Sequence, residues 1–315
     1  MCQRVALLAS ANRGVVSERE LLLDVGRRAN REFSDRPDAR ASLASAMGRA
    51  CADHGDLVHA EELLTGAIAQ QSATIGDDAR GTLRSRSALA RVLFRSGRIE
   101  ESRRSMGPLL AACKRRLADT DPVALEVLVL QVRLELDAPT TPRESERLAW
   151  TALSFVRSAS DVPARTVARA YGNLARALAL SGRFEEADRA AERAISEATC
   201  ALGPMHPVTL EMSVCRGTLL NVAGRPADAD DVLGAALDQQ EHRLGKTHPS
   251  RLPALRELLR AQALSGRGED AKVTARELLA VVHAQPQLDA MIAKHASAEA
   301  EAILTPSSRA RDAGG

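Results

Sequence analysis

Five glycines recur along the chain at fixed steps, each between two apolar-periodic stretches: Gly55-Asp56, Gly97-Arg98, Gly182-Arg183, Gly224-Arg225 and Gly266-Arg267. The steps are 42, 85, 42 and 42 residues. The double step hides one more unit, whose turn is Asp137-Ala-Pro-Thr-Thr-Pro142, with Thr140 in the place of the glycine. A period of this size marks a stacked-repeat architecture. One unit cannot bury its own apolar face, so neighbours must cover it.

Other positions fall into register with these turns. Five residues after each turn come Ala60, Ser102, Ser145, Ala187, Ala229 and Ala271, all small. Thirteen after come Ile68, Leu110, Leu153, Ile195, Leu237 and Leu279, all aliphatic. Seven before come Gly48, Ala90, Ala175 and Gly217, a small column that Arg133 and Leu259 break. Two antiparallel helices joined by a tight turn explain the pattern. Glycine suits the point where the backbone leaves the first helix, and small residues suit the crossing, where bulk would separate the axes. The aliphatic column is expected to pack on the next unit. A second landmark lies between units: Leu202-Gly-Pro-Met-His-Pro207 and Leu244-Gly-Lys-Thr-His-Pro249, with Arg36-Pro37, Asp121-Pro122 and Val162-Pro163 in similar places. Proline fits the first turn of a helix, where its missing N–H is not needed.

Asn173-Leu-Ala, then Gly182-Arg-Phe-Glu-Glu-Ala187, then Leu-Gly-x-x-His-Pro, resemble the kinesin-light-chain type of tetratricopeptide repeat. The resemblance covers residues 36–283 and implies an all-α helical-hairpin solenoid, with about six pairs wound into a right-handed superhelix. Its period is near 42 residues, against about 34 in the common form. The unit at 122–160 is degenerate, and Pro139 and Pro142 replace its usual turn. The stretch Leu21–Phe33, with Arg36-Pro37 and Ala41-Ser-Leu-Ala44, resembles the start of the repeat region fused to bacterial serine/threonine kinases. The glycine-rich loop and the Val-Ala-Ile-Lys, His-Arg-Asp and Asp-Phe-Gly signatures of a kinase are missing from the sequence. Residues 1–35 are expected to hold a capping helix (17–33), and 284–304 a closing helix with Leu288, Met291, Ile292 and Ile303 on one face. Residues 305–315 are expected to be a disordered tail.

Composition narrows the function. Hydrophobic residues make up 45% of the chain and aromatics 2%, which suits packed helices. The net charge of +2 names no partner, although residues 81–116 hold ten basic side chains against Glu100 and Glu101. Nucleic-acid binding is disfavoured there, because aromatic side chains for base stacking are almost lacking and no helix-turn-helix or zinc-finger signature is seen. The five cysteines (Cys2, Cys51, Cys113, Cys200, Cys215) form no C-x-x-C pair and read as reduced thiols. No apolar run reaches the ~18 residues of a membrane span, and the expected location is cytoplasmic.

Catalysis finds no foothold, and no metal or cofactor is expected. His206 and His248 occupy equivalent places in adjacent units, so they should stand about 10 Å apart, whereas one zinc needs its ligands at about 2 Å. They read as loop histidines before a structural proline. His54 and His59 miss the i, i+4 spacing of a helical zinc pair. The acidic groups Glu185, Glu186, Asp188 and Asp228, Asp230, Asp231 read as helix starts that complement the helix dipole.

The arginines are the candidate site. The first helix of each pair is expected to line a concave groove, with the residue six before each turn facing it. That position holds Arg49, Arg91, Leu134, Arg176, Thr218 and Arg260, and the position thirteen before adds Arg84 and Arg169. A guanidinium ladder would grip carboxylates or phosphates. The opposing reading is an arginine-rich surface in a chain with only four lysines. The sequence therefore reads as a non-enzymatic adaptor that holds an acidic or phosphorylated protein or peptide, in bacterial signalling or regulation. A ligand-gated sensor and a kinase-associated regulatory module acting in trans are the alternatives.

Overall fold

The computed structural model describes residues 35–53, 55–137, 141–285 and 290–304, with side chains from 293 onward in the last stretch. The expected helix at 17–33, the turn residues 138–140, the tail at 305–315, His54, Leu288, Met291 and Ile292 lie outside the described residues and side chains. Among the described residues every regular element is helical. The all-α hairpin fold expected from the sequence is therefore the one observed.

Two compact units make up the chain, Met1–Arg95 and Ser96–Gly315. In the first unit, α1 (Pro37–Asp53), α2 (Leu57–Ile75) and α3 (Arg80–Arg95) pack in succession, and α1 also touches α3. The second unit opens with α4 (Ile99–Arg116). Hairpins follow: α5 (Pro122–Asp137) with α6 (Pro142–Ser158), α7 (Ala164–Leu180) with α8 (Phe184–Leu202), and α9 (Pro207–Val222) with α10 (Pro226–Leu244). A 3-10 turn (Pro249–Arg251) leads into α11 (Leu252–Leu264), which pairs with α12 (Gly268–His283), and α13 (Ala290–Leu304) closes on α12.

Four hairpin turns share one hydrogen-bond scheme. At Gly182 (φ +74) the Arg183 N–H donates to Leu178 O at 3.0 Å and the Gly182 N–H to Ala179 O at 3.0 Å. This is the Schellman closure, which requires a left-handed residue after the helix. Arg225→Leu220, Arg267→Gln262 and Asp56→Cys51 repeat it at 2.9–3.0 Å. Between hairpins, His206 Nδ1 accepts from the Val208 N–H and His248 Nδ1 from the Ser250 N–H, both at 3.2 Å. Asp121 and Thr141 cap α5 and α6 in the same way. The two histidines are N-caps, which explains why each precedes a first-turn proline.

The small column is buried in both units. Ala60, Ser102, Ser145, Ala187, Ala229 and Ala271 are all at most 3% exposed. A Cβ on Gly48 would lie 2.8 Å from Leu64 Cγ, and one on Gly217 would lie 2.4 Å from Leu233 Cγ, so bulk at either would push the helices apart. The aliphatic column is mixed: Leu153 and Leu237 are buried, while Ile68, Leu110, Ile195 and Leu279 are half-buried.

Candidate protein-binding surface

In the second unit the first helices form a continuous layer. α5 packs on α7, α7 on α9, α9 on α11 and α11 on α13. Polar side chains stitch this layer. Asn173, buried in α7, donates to Val129 O of α5 at 2.8 Å, and Asn221 of α9 donates to Glu257 O of α11 at 2.9 Å. Arg256 of α11 reaches Glu299 of α13.

The candidate arginines fall into both units. Arg49 on α1 and Arg84 and Arg91 on α3 belong to the first, all partly exposed. In the second unit, Arg169 on α7 is only 12% exposed and donates to Glu211 of α9 at 3.0 Å. Position thirteen before the turn is thus an arginine in one hairpin and its acidic partner in the next. Arg176 lies among Cys215, Asp137 and Glu211, and its interaction with these groups, Cys215 foremost, holds its guanidinium above the usual arginine pKa against the cost of burial. Arg133, one position away from the predicted column, is pushed below the usual value by burial and by Arg176, and it pairs with Asp137. Arg260 on α11 is exposed and makes no hydrogen bond or ion pair among the described residues. Leu134, at the same offset on α5, is 2% exposed.

Two features of the surface escape the single-hairpin reading of the sequence. The first is a row of exposed aliphatic side chains two residues before successive turns: Leu180 (42% exposed), Val222 (49%) and Leu264 (57%). The second is a charge clamp at the turns. Arg183 donates to Glu186 of its own hairpin at 2.6 and 2.7 Å and to Glu146 of the preceding one. Arg225 joins Asp228 at 2.6 Å to Asp188 at 2.9 Å, and Arg267 joins Asp270 to Asp230. Burial acts to raise the Asp188 carboxyl, but hydrogen bonds and charge from Arg216 and Arg225 outweigh it and hold it below the ordinary range. Glu186 is lowered by its hydrogen bond from Arg183. Of the acids read as helix starts, Asp188 and Asp230 are therefore inter-repeat partners as well. The signal was present in the sequence, since the clamping pairs are all 37 residues apart.

The junction from α4 into the degenerate hairpin lacks this clamp. Thr141 stands where the turn arginine would be, and Arg103 stands on α4 where the receiving acid would be. Arg103 donates instead to Leu134 O at 2.9 Å, a carbonyl of α5. Among the described residues no group of three or more His, Cys, Asp or Glu side chains converges as a metal site, and no helix is long and apolar enough to cross a membrane.

The layered hairpins define a helical-repeat protein, and comparison with known proteins says which kind. Tetratricopeptide-repeat family models match residues 167–207 and 83–107. In those stretches the chain matches the tetratricopeptide repeat, a motif that serves generally as a non-enzymatic interaction scaffold. Among solved structures, a Rap protein complexed with competence and sporulation factor is 12% identical at TM-score 0.57, covering 91% of this chain and 80% of that one. A tetratricopeptide repeat protein from Parabacteroides merdae is 15% identical at TM-score 0.50, covering 95% and 99%. A kinesin light chain-type protein of nearly identical TPR-like repeats from Podosopora anserina is 20% identical at TM-score 0.44, covering 65% and 96%. No curated protein matches the chain at a significant level.

Proposed function

We propose that this chain is a cytoplasmic adaptor that holds an acidic or phosphorylated protein segment against the layer of first helices, without catalysis of its own. The reading is supported by Arg176 and Arg260 on that layer in the second unit; Arg49 and Arg91 hold the same offset from their turns in the first unit. Guanidinium groups there can meet carboxylates or phosphates in bidentate fashion. Arg169 belongs to the candidate surface of the second unit, acting through its partner Glu211, and Arg84 holds the same offset in the first unit. We place the adaptor in bacterial signalling or regulation, on its resemblance to the repeat region of bacterial serine/threonine kinases. A second reading, a peptide-gated sensor, is supported by the shared fold with a Rap protein solved with its factor.

Affinity capture tests the adaptor. Wild type is compared with a variant carrying Arg49, Arg91, Arg176 and Arg260 changed to Ala, after circular dichroism confirms its helicity. A partner held by wild type and lost by the variant supports the reading. The same partners on both would remove the arginines from the binding surface.

A further inference from the structure

Single exposed aliphatic side chains are common on folded proteins. Leu180, Val222 and Leu264 differ from such scatter because they occupy one offset in three consecutive hairpins, at the ends of α7, α9 and α11. Those helices pack in succession, so the three side chains form a row. Four residues earlier on the same helices come Arg176, Thr218 and Arg260, and residues four apart share a helix face. The Thr218 hydroxyl donates to Val214 O at 3.0 Å within its own helix. The aliphatic row therefore runs beside a row that is cationic at both ends and neutral in the middle. A shallow hollow lined by Pro142, Arg143, Glu146 and Leu180 extends the aliphatic row toward α6.

We propose that this double row seats an acidic amphipathic helix of a partner protein, with aliphatic side chains every seventh residue over Leu180, Val222 and Leu264 and carboxylates facing Arg176 and Arg260. The inference rests on the adaptor reading and specifies the shape and chemistry of its partner. Helix axes in contact lie about 8–10 Å apart, which sets the spacing of the rungs. Two turns of α-helix, seven residues, advance about 10.5 Å and return to the same face. An extended strand covers that distance in about three residues, which places successive rungs on opposite faces. Charge selects the sign. The cluster around Arg176 brings Arg133, Arg169 and Arg176 together with the carboxylates of Asp137 and Glu211, and Arg260 adds an exposed cation with no hydrogen bond or ion pair among the described residues. A phosphate backbone would satisfy the arginines but leave the aliphatic row uncovered.

The test uses the full chain and a synthetic helical peptide of about 20 residues, with leucine at every seventh position and glutamates flanking that stripe, followed by fluorescence anisotropy. Saturable binding is expected. Leu180→Ser, Val222→Ser and Leu264→Ser should each weaken it roughly tenfold by removing apolar contact. These side chains are exposed, so circular dichroism should show unchanged folding. A peptide with glutamines for the glutamates should bind less well, and one broken by a central proline should not bind. Failure of the intact peptide to bind, equal binding of the proline-broken peptide, or indifference to all three serine substitutions would overturn the proposal. The adaptor reading would survive any of these if the capture experiment still depended on the arginines.

Discussion

At the hairpin turns Arg183, Arg225 and Arg267 each sit between two carboxylates drawn from successive hairpins. One turn before the end of α11, Arg260 has no such partner among the described residues. The residue type is the same, and the difference lies in where the acids fall. Glu146, Asp188 and Asp230 are largely shielded, with side chains 20%, 14% and 17% exposed, and each receives the arginine of the following turn. The chain's arginines thus include a set that ties repeats together and one, Arg260, that makes no such tie among the described residues. Counting arginines cannot separate the two.

Four experiments would break or sharpen that division. The largest effect is expected from Asp188→Ala, because this carboxylate receives both Arg216 and Arg225. Its loss should cost about 1–3 kcal/mol in chemical denaturation, with no change in peptide affinity. Acid should weaken the same clamps. The folded-state pKa values of Asp188 and Glu186 are depressed, so their contribution is full above the unfolded carboxylate range near pH 4 and is lost as pH falls through the lower folded values. The unfolding midpoint should stay level from neutral pH to about pH 5 and then drop, more gently in Asp188→Ala than in wild type. Arg267→Ala should lower the denaturation midpoint by less than Asp188→Ala does, because its side chain is half exposed and water screens its pairs, and added salt should shrink the difference from wild type. Arg260→Ala should change stability by no more than about 0.5 kcal/mol, while lowering affinity for the acidic peptide.

Much of the fold was legible in the sequence because its determinants are local. Gly182 closes its helix within six residues, and the spacing from Gly217 to Leu233 lies inside one hairpin, so a column of small residues reported the crossing directly. His206 and His248 were recognisable as loop residues before proline, although their role as imidazole caps needed coordinates. The clamps were harder to see. Asp188 and Arg225 belong to different hairpins, and no helical period relates residues 37 apart. Within one hairpin Asp188 looks like any acid near a helix start. The candidate site was half legible for a similar reason. The offset six before the turn located Arg176 and Arg260, but Glu211 as the partner of Arg169 follows only from α7 lying against α9. The row of Leu180, Val222 and Leu264 could have been found from its period. It was hidden because aliphatic residues near a helix end read as core until their exposure is known.

The division of the arginines is tested most directly by chemical denaturation of two variants side by side, Arg225→Ala with Arg267→Ala in one chain and Arg260→Ala in the other. The account predicts that the double turn variant unfolds at a clearly lower denaturant concentration than wild type, a gap that narrows in high salt. Arg260→Ala should stay within about 0.5 kcal/mol of wild type. Equal losses, or a larger loss for Arg260→Ala, would contradict it, because Arg260 would then belong to the fold and not to a partner.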